Sequence, residues 1–250
     1  MVFFRRRNII DTNLKQENYM KKNAFSIFLL ASLLAGGAFA SEGDADRSVG
    51  LSFGSSFCKT NFTMGSANGD KDSEVKGVSL DIANLDMRYV NKENNIAVLA
   101  GFGSGILFSP KVEVGSESVS DALDGSTGTY MNLFAGIGYK FKLSERFSIT
   151  PGIVVGFEYT SIDERRKDDD YKGVEAKFFE EQIGADIHAD FLINEKWSVF
   201  LAATGKFKFM GWYRYNDYTE KAYDFESTYQ KGDTDLGFSI SPKIGLSYHY

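Results

Sequence analysis

Cysteine and proline are scarce in this chain. Its 250 residues include one cysteine, Cys58, and 3 prolines. A lone cysteine can form neither an internal disulfide nor a thiolate metal cluster, which excludes a disulfide scaffold and a zinc module. The 28 Lys+Arg against 34 Asp+Glu give a net charge of -6, which argues against a nucleic-acid binder. The mean hydropathy of -0.25 excludes a bundle of transmembrane helices.

One long apolar run is present, near the start of the chain. Met20-Lys21-Lys22 form a basic segment, residues 24–34 are almost wholly apolar, and Ala38-Phe39-Ala40 fits a small-x-small cleavage site. This order is typical of a secretory signal peptide, and the run is shorter than the about 20 residues that anchor a helix in a bilayer. We therefore predict a signal peptide at 20–40 that directs export through the Sec pathway.

The segment 1–19 lies too far upstream to belong to that signal. We expect translation to start at Met20, which makes 1–19 a non-native extension. The remaining 41–250 hold 22 basic and 32 acidic side chains, a net charge near -10. We find no Pro/Ser-rich linker and no shift in composition there, so we predict a single domain.

The mature chain alternates between apolar residues and small or polar ones. In 48–57 the apolar residues are Val49, Leu51, Phe53 and Phe57, and the other parity holds only Gly and Ser. A period of two is that of a β-strand. It recurs often enough to predict eight strands, near 48–57, 80–89, 96–102, 131–141, 147–159, 179–193, 197–209 and 236–250.

The second of these segments changes parity part-way. Leu80 and Ile82 share one parity, whereas Leu85 and Met87 share the other. A β-bulge near Ala83-Asn84 would return all of them to one face.

Short and long connections alternate between the strands. The short ones are 91–95, 144–146 and 194–196, and the long ones are 58–77, 109–128, 161–176 and 213–233. Such alternation is typical of an up-and-down barrel with two unlike ends. The strands also reach the roughly 9–11 tilted residues that cross a bilayer.

The non-apolar face decides between a soluble and a membrane barrel. A soluble ligand-binding barrel also alternates, but its outer face should be rich in Lys and Glu. Here that face carries Ser, Thr and many glycines, which suit the crowded lumen of an eight-stranded barrel. These glycines are Gly50, Gly54, Gly101, Gly103, Gly105, Gly136, Gly138, Gly152, Gly156, Gly184, Gly237 and Gly245.

Aromatic residues gather near both ends of the strands, as membrane-interface girdles do. Near the short turns these are Tyr89, Tyr139, Phe141, Phe147, Trp197, Tyr248 and Tyr250, and near the long loops Phe57, Phe108, Tyr130, Phe157, Tyr159 and Phe209. We therefore predict an all-β fold: an eight-stranded antiparallel up-and-down transmembrane β-barrel with short periplasmic turns and four long extracellular loops.

The last strand, Gly237 to Tyr250, adds a more specific signal. With the signal peptide and the alternating strands, it resembles small eight-stranded bacterial outer-membrane β-barrels of the opacity and OmpA transmembrane-domain types, over residues 47–250. In those proteins the final strand ends in an aromatic residue, usually Phe, after alternating apolar residues. The matching positions are Ile244, Leu246, Tyr248 and Tyr250, and the final Tyr departs mildly from the pattern.

That resemblance implies a location and partners. It implies an outer-membrane protein with both termini in the periplasm, embedded in outer-membrane lipids and lipopolysaccharide. It also implies that periplasmic chaperones and the barrel-assembly machinery handle the chain, with the terminal strand as the assembly signal. We expect no nucleic-acid partner and no cofactor.

Charged residues share the predicted lumen parity, and buried charges need partners. Asp186 and Asp190 lie on a strand next to Lys206 and Lys208, so we expect those two pairs of residues to face each other. One interpretation is a structural interior of salt bridges that blocks the passage of solutes, and the other is a narrow pore lined by the same residues. The candidate residues are Arg88, Lys140, Glu158, Asp186, His188, Asp190, Lys206, Lys208 and Lys243.

The Asp186-Ile187-His188-Ala189-Asp190 segment places one histidine between two carboxylates on a single face. Such carboxylates could orient a general base, as in omptin proteases and lipid A-modifying outer-membrane enzymes. The chain has too few strands for an omptin and no His-x-Ser motif, so we predict that it is not an enzyme. Three ligands on one strand converge poorly, which also disfavours a metal site.

The long loops are polar and acidic, as solvated surface loops usually are. Two further hypotheses stay open: cations that bridge loop acids to lipopolysaccharide, and adhesion or ligand binding at the cell surface. Tyrosines in the last loop favour binding, although they could equally pack against the barrel rim. They are Tyr213, Tyr215, Tyr218, Tyr223 and Tyr229.

Overall fold

Eight long antiparallel strands form a closed ring in chain order. The computed structural model describes residues 45–64, 71–114, 117–118, 127–165, 173–218 and 227–250. The predicted signal peptide and upstream extension lie outside these residues. The strands are β1 Ala45–Met64, β2 Lys71–Asn91, β3 Ile96–Val114, β4 Thr127–Tyr139, β5 Phe147–Arg165, β6 Gly173–Leu192, β7 Trp197–Tyr218 and β8 Gly237–His249.

Closure comes from pairing of the first and last strands. β8 pairs with β1 from Ser48↔His249 to Lys59↔Phe238, and with β7 on its other side. Three short segments extend the wall: Glu117–Ser118 on β3, Phe141–Lys142 on β5 and Ser227–Asp233 on β7. The predicted fold class is confirmed. Within the described segments, no helix combines the length and apolar character needed to cross a membrane.

Large apolar side chains face outward and polar ones face the lumen. On β1, Leu51 and Phe53 are 64% and 65% exposed, whereas their neighbour Ser52 is buried. On β7, Phe207 is 69% exposed between the buried Lys206 and Lys208. A surface of this kind is stable only when the outer face meets an apolar solvent, because exposed apolar area costs roughly 25 cal/mol per Å² in water.

The predicted bulge on β2 is present, slightly before its expected position. The register with β3 shifts between Asp81 and Ala83, and the register with β1 shifts between Ser52 and Gly54. Ile82 and Ala83 are consecutive and both exposed. The extra residue therefore returns the apolar side chains of both halves of β2 to the outer face, as the change of parity predicted.

The strands extend further toward the loop end than alternation predicted, so the loops are shorter. β1 continues to Met64 and β2 begins at Lys71, where the sequence had indicated a loop over 58–77. Beyond Phe57 the outward residues become polar, for example Lys59 and Asn61. The backbone ladder continues after the apolar pattern has ended, so periodicity cannot detect this part of the wall.

Both aromatic girdles are present, with one correction. Outside the barrel, Tyr139, Phe141 and Trp197 are exposed near the short turns, and Phe57, Phe108 and Phe209 near the other end. The prediction that Tyr130 belongs to the girdle near the long loops is wrong. Its side chain is 1% exposed and points into the lumen, where Asn132 donates a hydrogen bond to its hydroxyl. Its parity, opposite to that of Met131, already indicated the inner face.

The glycines on the inner face supply room for crowded neighbours, and one pair provides a test. A Cβ at Gly184 would lie 2.1 Å from the Gly205 carbonyl oxygen, whereas a Cβ at Gly205 would meet nothing within 4 Å. We predict that Gly184→Ala destabilises the barrel by about 1–3 kcal/mol through overpacking. Gly205→Ala, the matched control, should leave stability unchanged. Urea unfolding in detergent measures both, and equal effects would contradict the assigned faces.

Candidate functional site: the filled lumen

An apolar cluster fills the lumen at the loop end of the barrel. Phe62, Phe178 and Tyr213 are each at most 1% exposed. The Phe62 ring centroid lies 5.4 Å from that of Phe178 and 4.7 Å from that of Tyr213. We call the whole cluster the apolar plug; it comprises Cys58, Phe62, Val75, Leu107, Ile162, Ala176, Phe178, Tyr213 and Tyr215.

The apolar plug decides between the two interpretations of Tyr213 and Tyr215 in favour of packing, and it moves Cys58 from a predicted connection into the wall. Tyr213 and Tyr215 are not surface contact residues of a loop, because their side chains are 1% and 2% exposed inside the barrel. Tyr213 donates its hydroxyl proton to the Thr63 carbonyl oxygen at 2.8 Å. Cys58, at the start of the connection predicted over 58–77, lies instead within β1: it is buried in the plug, and its thiol faces the Gly77 carbonyl oxygen at 3.6 Å.

A lysine between two glutamates lies next to the plug, on the side of the short turns. Lys208 Nζ is 2.6 Å from both Glu158 Oε1 and Glu180 Oε2. Thr60 donates to Glu180 at 2.8 Å, and Gln182 donates to Glu158 at 2.7 Å. All three charged side chains are at most 1% exposed. This acid–lysine layer spans the lumen with direct ion pairs.

Two further lysines approach one aromatic ring near the middle of the barrel. Lys206 Nζ and Lys243 Nζ lie 5.3 Å and 5.2 Å from the Phe134 ring centroid, within cation–π range. Lys243 Nζ is also 3.7 Å from Asp86 Oδ1, and Ser52 donates to the other oxygen of that carboxylate at 2.8 Å. Phe134 belongs to a second buried apolar cluster with Val90, Ala97, Leu99 and Val154.

The predicted histidine triplet is divided between two partners. Asp190 pairs with Arg88 across the lumen through both guanidinium nitrogens, one of them at 2.5 Å. Asp186 accepts from Thr204 at 2.6 Å and lies 3.2 Å from His188 Nε2. The imidazole of His188 is 3% exposed and packs against Phe200, with 5.1 Å between ring centroids.

The expected pairing of Asp186 and Asp190 with Lys206 and Lys208 is therefore wrong. The register places Asp186 opposite Thr204 and Asp190 opposite Phe200. In a narrow barrel, side chains reach across the lumen as readily as along the wall, and nearest-strand pairing does not identify those partners.

Eight of the nine lumen candidates from the sequence are buried, whereas the ninth, Lys140, lies at the short-turn rim with its side chain 13% exposed. Three partners of the buried residues were missed. Arg88, Glu158, Asp186, His188, Asp190, Lys206, Lys208 and Lys243 all point inward. Glu180, Gln182 and Asp86 also belong to the lumen. Their parity could have identified them, because Glu180 and Gln182 share that of Asp186, and Asp86 shares that of Arg88.

A separate ion-pair cluster lies at the short-turn rim, beyond the aromatic girdle near the short turns. Lys140 Nζ is 2.6 Å from Asp46 Oδ2, and His249 Nδ1 is 3.1 Å from Asp46 Oδ1. Ser198 Oγ lies 2.9 Å from His249 Nε2. The hydrogen bond from His249 and the nearby charge of Lys140 hold the pKa of Asp46 well below its usual range, although burial opposes this.

The four proposed assembly-signal residues lie on the outer face of β8. Ile244, Leu246 and Tyr250 are 55%, 43% and 61% exposed. The Tyr248 ring meets Trp197 edge-on at a centroid distance of 5.1 Å. An assembly machine could read these side chains from outside the barrel, and that role stays a prediction.

An open acidic cleft lies at the loop end, lined by residues of β1, β2 and β3 and by Asp235. Its volume is ≈ 540 Å³, and its lining is Asn61, Phe62, Asp72, Ser73, Glu74, Glu113 and Asp235. Across the described segments, no group of three or more His, Cys, Asp or Glu side chains is arranged to hold a metal ion.

Comparison with known proteins identifies the fold. No protein-family model matches the chain, and no curated protein matches it by sequence. A major outer membrane protein from Thermus thermophilus is similar in structure, with a TM-score of 0.57 and 12% identity over 83% of this chain and 100% of that one. OprG from Pseudomonas aeruginosa has a TM-score of 0.57 and 13% identity over 83% and 98% of the two chains.

The chain has the fold of the small bacterial outer-membrane β-barrels. At these identities the likeness concerns the fold alone, and the residues of the filled lumen must be interpreted from their own geometry.

The acid–lysine layer gives a direct test of lumen pairing. Lys208→Met leaves two buried carboxylates without their cation, so we predict a loss of about 3–5 kcal/mol in unfolding free energy. Lys206→Met is the matched control on the same strand. Lys206 lies against the Phe134 ring, and both Glu158 and Glu180 keep their ion pair with Lys208 when Lys206 is replaced. Urea unfolding of the detergent-refolded barrel measures both. Equal losses would contradict the assigned pairing.

The rim cluster predicts a pH dependence. Because the folded pKa of Asp46 is below its ordinary 3.8, its stabilising contribution is complete above that pH and is lost as the pH falls further. The difference in unfolding free energy between the native chain and Asp46→Asn should therefore be largest near neutral pH and shrink below about pH 4. Glu145→Gln, in an exposed turn, is the control. A pH-independent difference for Asp46→Asn would refute the assignment.

Proposed function

We propose that this protein is a non-conducting integral protein of the outer membrane, whose closed barrel holds its extracellular loops in place for a structural or surface-binding role. The observation that carries this proposal is the filled lumen. The apolar plug, the acid–lysine layer and the lysines at Phe134 follow one another along the axis, and side chains at most 1% exposed occupy both the plug and the acid–lysine layer.

The orientation follows from the two unlike ends. β1 starts and β8 ends at the rim with short turns, where the Tyr250 amide donates to the Arg47 carbonyl oxygen at 3.0 Å. In bacterial outer-membrane barrels the short turns face the periplasm and the longer loops face outward. We propose Sec export, periplasmic termini, and assembly by periplasmic chaperones and the barrel-assembly machinery, in a membrane of lipids and lipopolysaccharide.

The wall rises beyond the membrane on the loop side. In β1, seven residues follow Phe57, the last outward aromatic side chain, up to the end of the strand at Met64. At about 3.3 Å per residue this is about 23 Å of strand. With the apolar plug inside it, this part would serve as the base for the predicted extracellular loops, part of whose residues lie outside the described segments. The acidic cleft lies at this base and supports a binding role.

We propose no enzymatic role. His188, with Asp186, is the sequence's best candidate for a general base, yet its imidazole is 3% exposed and lies under Phe200. A base must come within hydrogen-bond reach of a substrate proton. An imidazole this enclosed is better explained as part of the packing that fills the lumen.

Planar bilayer recording tests the closed lumen. We expect the native protein to give no stepwise current under applied voltage, because ion pairs and aromatic rings occupy the axis. A porin with an open lumen, inserted in the same lipid, is the positive control. Steady conductance steps from the native protein would contradict the proposal and favour the narrow-pore alternative, in which these side chains move aside.

A further inference from the structure

One acidic side chain, Glu181, lies on the outer face of the barrel among the residues that meet lipid. Its neighbours along β6, Glu180 and Gln182, are 0% and 1% exposed in the lumen, so alternation turns Glu181 outward. The outward residues before and after it on the strand are Phe179 and Ile183. Glu181 therefore lies on the apolar side of an aromatic residue, where the outer face of a transmembrane barrel is normally uncharged.

The residues next to Glu181 on the outer face are apolar. Glu181 is the cross-strand partner of Phe157 on β5 and of Met210 on β7. The Phe157 ring centroid lies 5.4 Å from that of Phe179, and the Phe179 ring stacks on Trp212 at 6.2 Å. Three aromatic rings thus follow one another across β5, β6 and β7 beside the carboxyl group.

The carboxyl group of Glu181 lacks a cation. Within the segments that the structure describes, Glu181 has neither a hydrogen bond nor an ion pair. Glu175, on the same face of β6, pairs instead with Lys177. An ionisable side chain in the membrane region costs free energy unless it is paired, and such residues commonly mark binding or transport sites. Glu181 is therefore placed to receive a cation that the described chain does not supply.

A β-bulge lies in the strand opposite Glu181. Glu181 pairs with Met210 and Gln182 pairs with Lys208, so the register passes over Phe209. Phe209 and Met210 are consecutive, and both face outward with 47% and 44% exposure. Bulges redirect side chains and are frequent next to active sites. This one places two large apolar side chains beside the same carboxyl group.

A shallow depression in the outer face lies further along β6 and β7, toward the short turns. Its floor is Ala185 and Gly205, which are cross-strand partners, and a Cβ at Gly205 would meet nothing within 4 Å. Ile183 and Phe207, which are 46% and 69% exposed, lie between this floor and Glu181. At about 3.3 Å per residue, Ala185 is about 13 Å from Glu181 along the strand. The outer face thus offers a carboxylate at one end of an apolar path.

We propose that this surface binds an amphiphilic amine, with its ammonium group on Glu181 and its apolar chain along β6 and β7. We call the surface the wall site; it comprises Glu181, Phe157, Phe179, Met210 and Gly205. The carboxylate would pair with the ammonium group, and the aromatic faces attract a cation as well. The pair would be strong because little water reaches the lipid-facing wall.

The depth of Glu181 selects the kind of amine. In a phospholipid the amine lies on the water side of the phosphate, beyond the aromatic girdle that marks the headgroup boundary. Glu181 lies on the other side of Phe179, toward the lipid tails. The wall site therefore fits an amine attached directly to its apolar chain. It lies on the wall of the barrel and does not depend on a role of the loops.

Fluorescence quenching at Trp212 tests this inference. The chain has 2 tryptophans, and Trp197→Phe leaves Trp212, which stacks on Phe179, as the reporter. The probe is a dodecylamine with bromine on its chain, titrated at neutral pH into the barrel refolded in an uncharged detergent. The corresponding brominated dodecanol has the same chain without the charge. We expect saturable quenching by the amine, with an apparent Kd about tenfold lower than that of the alcohol.

Three variants, each made in the Trp197→Phe chain, separate the head of the ligand from its tail. Glu181→Gln keeps the size of the side chain and removes its charge, so it should bind the amine about tenfold more weakly and the alcohol as before. Gly205→Leu fills the depression and should weaken binding of both probes. Glu195→Gln, in an exposed turn at the other end of the barrel, is the matched control and should keep native affinity for both.

Thermal stability distinguishes a binding role from a structural one. Glu181 has no ion pair to lose within the described segments, so Glu181→Gln should not lower the temperature at which the unboiled gel band is lost. A lower temperature for this variant would assign Glu181 a structural role and overturn the inference.

The remaining outcomes separate the wall site from the proposed function. If the amine and the alcohol bind equally, or if Glu181→Gln binds the amine as tightly as the native residue does, the inference is wrong while the barrel stands. An equal loss of affinity in Glu195→Gln would also contradict it, as would displacement of the amine by phosphatidylethanolamine. If the native chain gives no heat-modifiable band, the transmembrane barrel itself fails.

Discussion

The pairing of β1 with β8 is the constraint on which the rest of this structure depends. A sheet in lipid has no water to satisfy its edge amides and carbonyls, so it must close on itself. With eight strands, closure fixes a lumen that side chains can fill. Closure also assigns one face of every strand to lipid and the other to the lumen. The exposed Leu51 and Phe53, and the buried Ser52 between them, follow from this constraint.

The filled lumen then imposes its own requirements. Charges enclosed by the wall need partners, and the structure supplies ion pairs for Lys208 between two glutamates and for Arg88 on Asp190. Lys206 instead lies against the Phe134 ring. A protein in which apolar residues replace such a buried ion pair can be equally stable. The presence of these ion pairs therefore indicates a specific packing more than a gain in stability. If the interior is closed as proposed, the loop end of the barrel, with its acidic cleft, is the surface available for binding.

Much of this architecture could be predicted from the sequence, because the apolar period of two reports directly on which face meets lipid. The bulge on β2 was readable for the same reason. The period disappears beyond Phe57, where outward residues such as Lys59 are polar, so alternation predicts a loop where the wall in fact continues. Asp190 was assigned to lysines on the adjacent strand, since a sequence shows neighbours along the wall and not partners such as Arg88 across the lumen.

The claim that the apolar outer face of the barrel meets lipid is tested most directly by the cellular location of the mature chain and by the migration of its band on a gel. Cell fractionation combined with SDS gels of boiled and unboiled samples reports both. We expect residues 41–250 in the outer-membrane fraction, with an unboiled band that migrates apart from the boiled one. A freely soluble product with a single band would contradict it, because the apolar face would then have to line a cavity instead of meeting lipid.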